Sequence, residues 1–112
     1  LDDQPVWLQA KPKPVLSVPY TVEINDIPMM LLQQHRSEEL LLRGIDQFER
    51  LWQESETIPR VMSISVHPYI TGVPHRIGYF EKLLDHIQSR AGVVIQTGEQ
   101  ISNWYREQVP FK

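Results

Sequence analysis

Among the residues able to do chemistry, His67 has the most informative neighbours. In Arg60-Val61-Met62-Ser63-Ile64-Ser65-Val66, the serines Ser63 and Ser65 alternate with Met62, Ile64 and Val66. A period of two therefore places His67 on the serine side of an expected strand, at its C-terminal end. In parallel α/β sheets and barrels that end faces the ligand crevice. An imidazole there can act as a general acid or base near neutral pH. The plainer alternative is a histidine capping a turn, with Pro68 ending the strand.

Other polar residues offer less. His75 and Arg76 follow within Thr71-Gly72-Val73-Pro74-His75-Arg76. Two histidines flanking a loop suggest metal binding, yet no HExxH or HxxxH spacing occurs, and no carboxylate lies in the loop from Pro68 to Arg76. A metal held by this chain alone is not expected. Arg76 could instead clamp a carboxylate or ureido oxygen with its planar fork, or simply face solvent at a helix start. Asp2-Asp3 and Asn25-Asp26 are pairs that could orient a base or hold a polar substrate. Asn25-Asp26 also reads as ordinary turn chemistry after a strand. His35-Arg36 precedes a helix, and His86, on a helix flank, is expected to be solvated and without a role.

The elements that must position these residues alternate in period. Pro12 and Pro14 punctuate a connector. Val15–Ile24 reads as extended, with Pro19 marking an edge, bulge or interruption. Ser37 is the expected cap of a helix whose stripe is Leu41, Ile45, Phe48 and Trp52. Glu39 with Arg43, and Asp46 with Arg50, stand at i,i+4 on its outer side. After the strand ending at His67, a second helix carries Phe80, Leu83, Leu84, Ile87 and Ala91, with Gly92 as its left-handed stop. Val93-Val94-Ile95 reads as a short buried strand. Thr97-Gly98-Glu99-Gln100 resembles a capping box before a last helix with Ile101, Trp104 and Tyr105. Phe48, Trp52, Phe80 and Trp104 sit at helical spacing and are expected in the core. The order β, α, β, α, β, α implies an α/β fold with parallel pairing through right-handed crossovers.

Composition narrows the classes. A chain of 112 residues allows at most one domain. Eleven basic against fourteen acidic residues, a net charge of −3, argue against nucleic acid as a partner. The longest uncharged apolar stretch, Ile27–Leu32, is far short of the ~20 residues a membrane span needs. The absence of cysteine excludes disulfides, thiolate zinc sites and a cysteine nucleophile, and fits a reducing, cytoplasmic compartment. There is no Gly-rich phosphate loop and no G-x-S-x-G elbow. The opening on Leu1 rather than methionine leads to the expectation of an incomplete chain.

Four islands in order resemble one known family. They are Asp2-Asp3-Gln4-Pro5-x-Trp7; Val18-Pro19-Tyr20-Thr21-x-Glu23-x-Asn25-Asp26; Val61–Tyr69 with Gly72-x-Pro74-His75-Arg76; and Thr97-Gly98-x-x-Ile101-x-x-Trp104-Tyr105. Together they resemble the C-terminal half of polysaccharide deacetylase-like proteins, nearest the branch containing metal-independent allantoinases. The resemblance implies that residues 1–112 form a single partial domain, the C-terminal portion of a distorted (β/α) barrel. It also implies hydrolysis of carbon–nitrogen bonds in N-acetyl or cyclic amide substrates. In such proteins a histidine of the last motif acts as general acid or polarises the tetrahedral intermediate, and His67 occupies that place. Asp2, Asp3, Asn25 and Asp26 fall at substrate-side positions of that branch, while His75 and Arg76 match its His-Arg pair without an assignable step.

The chain departs from the family in two motifs. It lacks the N-terminal Asp-Asp motif that supplies the base, and the His-x-x-x-His motif with which metal-dependent members hold an ion. The expectations are therefore an inactive isolated chain, no cofactor within it, and a divalent metal only through the missing N-terminal half. The partners expected are a small-molecule or sugar amide and the N-terminal half of the domain or a second copy, with no membrane. The competing hypothesis is a non-catalytic remnant or interaction module that self-associates through its open sheet.

Overall fold

In the computed structural model, which describes residues 3–112, the elements run in the order strand, strand, π-helix and three α-helices. Strands β1 (Val6–Leu8) and β2 (Val15–Ser17) pair antiparallel, Val6 opposite Ser17, Trp7 opposite Leu16 and Leu8 opposite Val15. Their connection is too short for a parallel crossover, which needs a dozen or more residues. It contains the cis Lys11–Pro12 bond. The expected strand Val15–Ile24 thus ends at Ser17. Pro19, with no N–H to donate, stands where the ladder stops.

The expected strands 60–66 and 93–95 do not form regular ladders. A single parallel bridge joins Asn25 to Ser65, through Ser65 N–H to Ile24 O (2.9 Å) and Asp26 N–H to Ser65 O (3.1 Å). Alternation in a sequence shows which residues suit a pleated surface, but a strand exists only where a neighbour bonds it. Among the described residues those neighbours are few, so the β, α, β, α, β, α order is replaced by two short strands and extended segments.

The helices follow local signals more closely. The apolar run Ile27–Leu32 forms a π-helical turn, closed by Gln33 N–H to Pro28 O, that buries Met29 and Met30. Helix α1 (Glu39–Glu54) begins after Glu38 rather than on a Ser37 cap, and no side chain caps it. Arg43 approaches Glu39 at 3.9 Å, whereas Arg50 pairs with Glu54 at 2.6 Å rather than with Asp46. Helix α2 (Ile77–Gln88) ends before Gly92, whose φ of +80° serves the turn beyond it. Helix α3 (Gly98–Gln108) has the full capping box: Gln100 N–H donates to Thr97 Oγ1 and Thr97 N–H to Gln100 Oε1.

Two clusters make the core. Ile24, Met29, Met30, Leu40 and Ile70 form one, and Phe48, Leu83 and Ile87 the other, with Met62 and Ile64 packed against both. Burying each large side chain contributes about 1.5–3 kcal/mol. Gly44 lets α1 and α2 close on each other, since a Cβ there would lie 2.5 Å from Leu83 Cδ2. The extended segment 60–66 is thereby fixed across both clusters, and its end delivers His67.

Candidate functional site

Helix packing alone would not orient His67; a buried carboxylate does. Asp26 has no exposed surface. Its Oδ1 lies 2.7 Å from His67 Nδ1, and its Oδ2 accepts the His67 amide (2.6 Å) and the Thr71 hydroxyl (2.7 Å). Burial pushes the Asp26 carboxyl up, but the hydrogen bonds from His67 and Thr71 and the attraction of the imidazolium together hold it below the ordinary value. An ionised carboxylate only accepts, so the proton between the two side chains sits on Nδ1. Nε2 is then left for other partners, on a side chain that is 34 % exposed.

The loop after His67 builds the other wall. Its carbonyl accepts from the amides of Ile70 (3.0 Å) and Thr71 (2.9 Å), a tight turn that carries Thr71 back beneath Asp26. Gly72 follows where a Cβ would lie 2.4 Å from Pro68 O, so the chain reverses there only without a side chain. Tyr69 stands edge-on to the imidazole, ring centroids 5.8 Å apart. On the serine side, Tyr20 Oη meets Ser65 Oγ at 3.0 Å, and Asn25 Nδ2 donates to the Tyr20 hydroxyl at 3.4 Å.

The remaining sequence candidates have different surroundings. Asp26, expected on the substrate side, is enclosed under His67. Asn25 is also buried, its amide donating to Thr21 O and its carbonyl accepting from Ile27 N–H, both local bonds. Asp3 accepts from Arg60 Nη1 (3.2 Å) and borders a small cleft of about 190 Å³ shared with Tyr20, Thr21, Glu23 and Ser63. Asp2 lies outside the described residues. His75 is exposed. Arg76 donates from Nη1 to Ile70 O (3.3 Å), while its buried Nε has no hydrogen-bond partner among the described residues.

Two expectations change elsewhere. His86 is paired rather than solvated: its Nε2 lies 2.7 Å from Glu49 Oε1, and Arg90 grips the same carboxylate with two bonds of 3.0 Å. The His86 bond above all, helped by Arg90, holds the Glu49 carboxyl below its usual range against the opposing effect of burial. Trp104, expected in the core, is 41 % exposed. Thr71 is the site residue that sequence reasoning left without a role. Its one signal is a hydroxyl residue four positions after a histidine in a turn-rich stretch. Among the described residues, no group of three or more His, Asp or Glu is placed to hold a metal ion. Among the described residues no helix is long and apolar enough to cross a membrane.

No family model matches the chain. A Schizosaccharomyces pombe protein, provisionally named a polysaccharide deacetylase, is 35 % identical over 99 % of this chain. A crystal structure from Pseudomonas aeruginosa PAO1 with a similarly provisional deacetylase name superposes on 99 % of the chain with a TM-score of 0.91 and 31 % identity. An allantoinase structure superposes equally well, with a TM-score of 0.91 and 25 % identity. This chain spans only 38 % of the length of each of the three.

Proposed function

We propose that this chain, similar over nearly its whole length to polysaccharide deacetylase-like proteins, is the C-terminal part of a hydrolase of non-peptide carbon–nitrogen bonds. The domain it contributes to is the distorted (β/α) barrel that the family resemblance implies, and its substrates are N-acetyl or cyclic, allantoin-type amides. The observation that carries the reading is the buried Asp26 bonded to His67 Nδ1 at 2.7 Å.

The chemistry follows from that contact. Asp26 fixes the tautomer and ring plane of His67, so Asp26 is a positioning residue rather than a substrate contact. With Nδ1 committed, the proton on Nε2 is the one delivered. Water adds to the amide carbon, and the tetrahedral adduct collapses as the carbon–nitrogen bond breaks. His67 gives its Nε2 proton to the departing nitrogen, which leaves as a neutral amine. The base that removes the proton from water comes from the remainder of the domain. Among the described residues no group is placed to hold a metal ion, so any metal of the complete domain is held by its other part. Arg76, Asp3 and His75 remain candidates for contact with the substrate.

The test uses this chain joined to, or co-expressed with, the remaining part of the domain taken from a relative, assayed on allantoin and on N-acetylated sugars with and without chelator. His67→Ala is expected to cost ~10²–10⁴-fold in kcat with helix content unchanged. Unchanged turnover removes His67 from the reaction.

A further inference from the structure

The segment that delivers His67 turns Met62, Ile64 and Val66 toward the core clusters, so Ser63, Ser65 and His67 share the opposite side. On that side a series of polar contacts ends in a hydroxyl proton with no partner. It begins at the buried Asn25, whose Oδ1 accepts from Ile27 N–H at 3.2 Å, which marks Nδ2 as the donor end of the amide. Nδ2 gives one hydrogen to Thr21 O (3.1 Å) and the other to Tyr20 Oη (3.4 Å). An amide nitrogen does not accept, so the phenol oxygen is the acceptor in that contact. The phenol's own proton is then directed to Ser65 Oγ, 3.0 Å away. Ser65 Oγ has no further hydrogen-bond partner among the described residues, and its own proton is left to donate. Ser65 is only partly buried, and two residues of extended chain set it about 6.6 Å from His67.

We infer that Ser65 is a substrate-binding residue, its hydroxyl donating to an acceptor oxygen that lies beyond the scissile amide, and that Tyr20 is the positioning residue that directs it. This rests on the reading of His67 as the acid of an amide hydrolase, and it states what that substrate must carry. The ligand is an amide with a second oxygen, either the ureido carbonyl of an allantoin-type molecule or a ring hydroxyl of an N-acetyl sugar. A hydroxyl already committed as an acceptor can only donate outward, so an amide without that oxygen leaves a polar group of the site unpaired. The same backbone contact sets both halves of the site. Ser65 bridges Asn25 in parallel, with Asp26 N–H bonded to Ser65 O, so Asn25 is held beside Tyr20 as Asp26 is held beneath His67.

The full 112-residue chain is titrated with allantoin and, separately, with N-acetylglucosamine, and the Ser65 and His67 amide resonances are followed by NMR. At least one probe is expected to shift both, and which one does so tells whether the oxygen is a carbonyl or a hydroxyl. Ser65→Ala is expected to weaken that binding about three- to tenfold, the range of one neutral hydrogen bond, with the melting temperature unchanged. Tyr20→Phe is expected to weaken it less, and to add nothing in the Ser65→Ala background, because its effect passes through that hydroxyl. Ser63→Ala, the same change two residues away on the same side, is expected to bind as the wild type does. No shift at those amides with either probe overturns the inference. So do wild-type affinity in Ser65→Ala, an equal loss in Ser63→Ala, or additive losses for Ser65→Ala and Tyr20→Phe. Turnover by the chain joined to the remaining part of the domain separates the two claims, and Ser65→Ala is expected to raise KM by the same factor with kcat kept. Binding through Ser65 without hydrolysis of either amide overturns the enzymatic reading alone, and hydrolysis with wild-type KM in Ser65→Ala overturns the role of Ser65 alone.

Discussion

Asp26 makes three hydrogen bonds from a position with no exposed surface, and its ionisation state therefore governs both fold and site. Its carboxyl is held below the ordinary value, so its contribution to stability is complete above about pH 3.9. That contribution is lost as the pH falls through the lower, folded-state value. Asp26→Asn is expected to remove this acid sensitivity and to lower stability by about 1–3 kcal/mol, because an amide cannot accept from all three donors. Urea unfolding of both proteins between pH 2.5 and 6 reads the effect; parallel pH profiles would place the sensitivity in another carboxylate. His67 was legible in the sequence because its alternation with two serines is local. Its partnership with Asp26 was not, because 41 positions separate them and only the folded chain brings them together.

At the scale of elements, helices and strands differ in legibility for one physical reason. A helix bonds within itself, so the stripes of α1 and α2 and the capping box of α3 could be read from nearby residues. Extended segments bond elsewhere, and neither Val93-Val94-Ile95 nor Arg60–Val66 carries in its own residues the identity of its neighbour. The turn from His67 to Gly72 lies between these cases. Its proline and glycine announced a loop, yet its use in bringing Thr71 under Asp26 came only with the structure. Gly72→Ala would press a Cβ against the Pro68 carbonyl, which is backbone and cannot swing aside. A loss of about 1–3 kcal/mol is expected, as for overpacking elsewhere. Denaturant melts should show it, and the Thr71 amide should exchange faster; wild-type stability would mean the turn can widen at no cost.

The whole molecule is more open than its length requires. A compact domain of this size has a radius of gyration of about 13 Å. Here the value is 15.6 Å, and the extents are 47 × 33 × 19 Å, a flattened body. That shape agrees with a chain that superposes closely on 38 % of larger proteins and leaves an apolar groove open. Compositional arithmetic could not register this, because a net charge and an apolar fraction carry no information about which surfaces are left unpaired.

Trp7 joins distant parts of this body. Its indole donates to Val109 O at 2.6 Å across 102 positions, Phe111 meets its ring edge-on, and the Arg106 guanidinium lies 6.0 Å from the ring centre. The β1–β2 hairpin is thus buckled to the segment after α3, which brings the first and last described parts of the chain within a linker's reach. The backbone should consequently tolerate circular permutation. Joining the ends by a short Gly/Ser linker and reopening the exposed loop at Lys11–Lys13 should preserve helix content by circular dichroism. Trp7→Ala should make the same permuted chain melt earlier, and a permutant that fails to fold even with Trp7 would show that the buckle does not set the register of the ends.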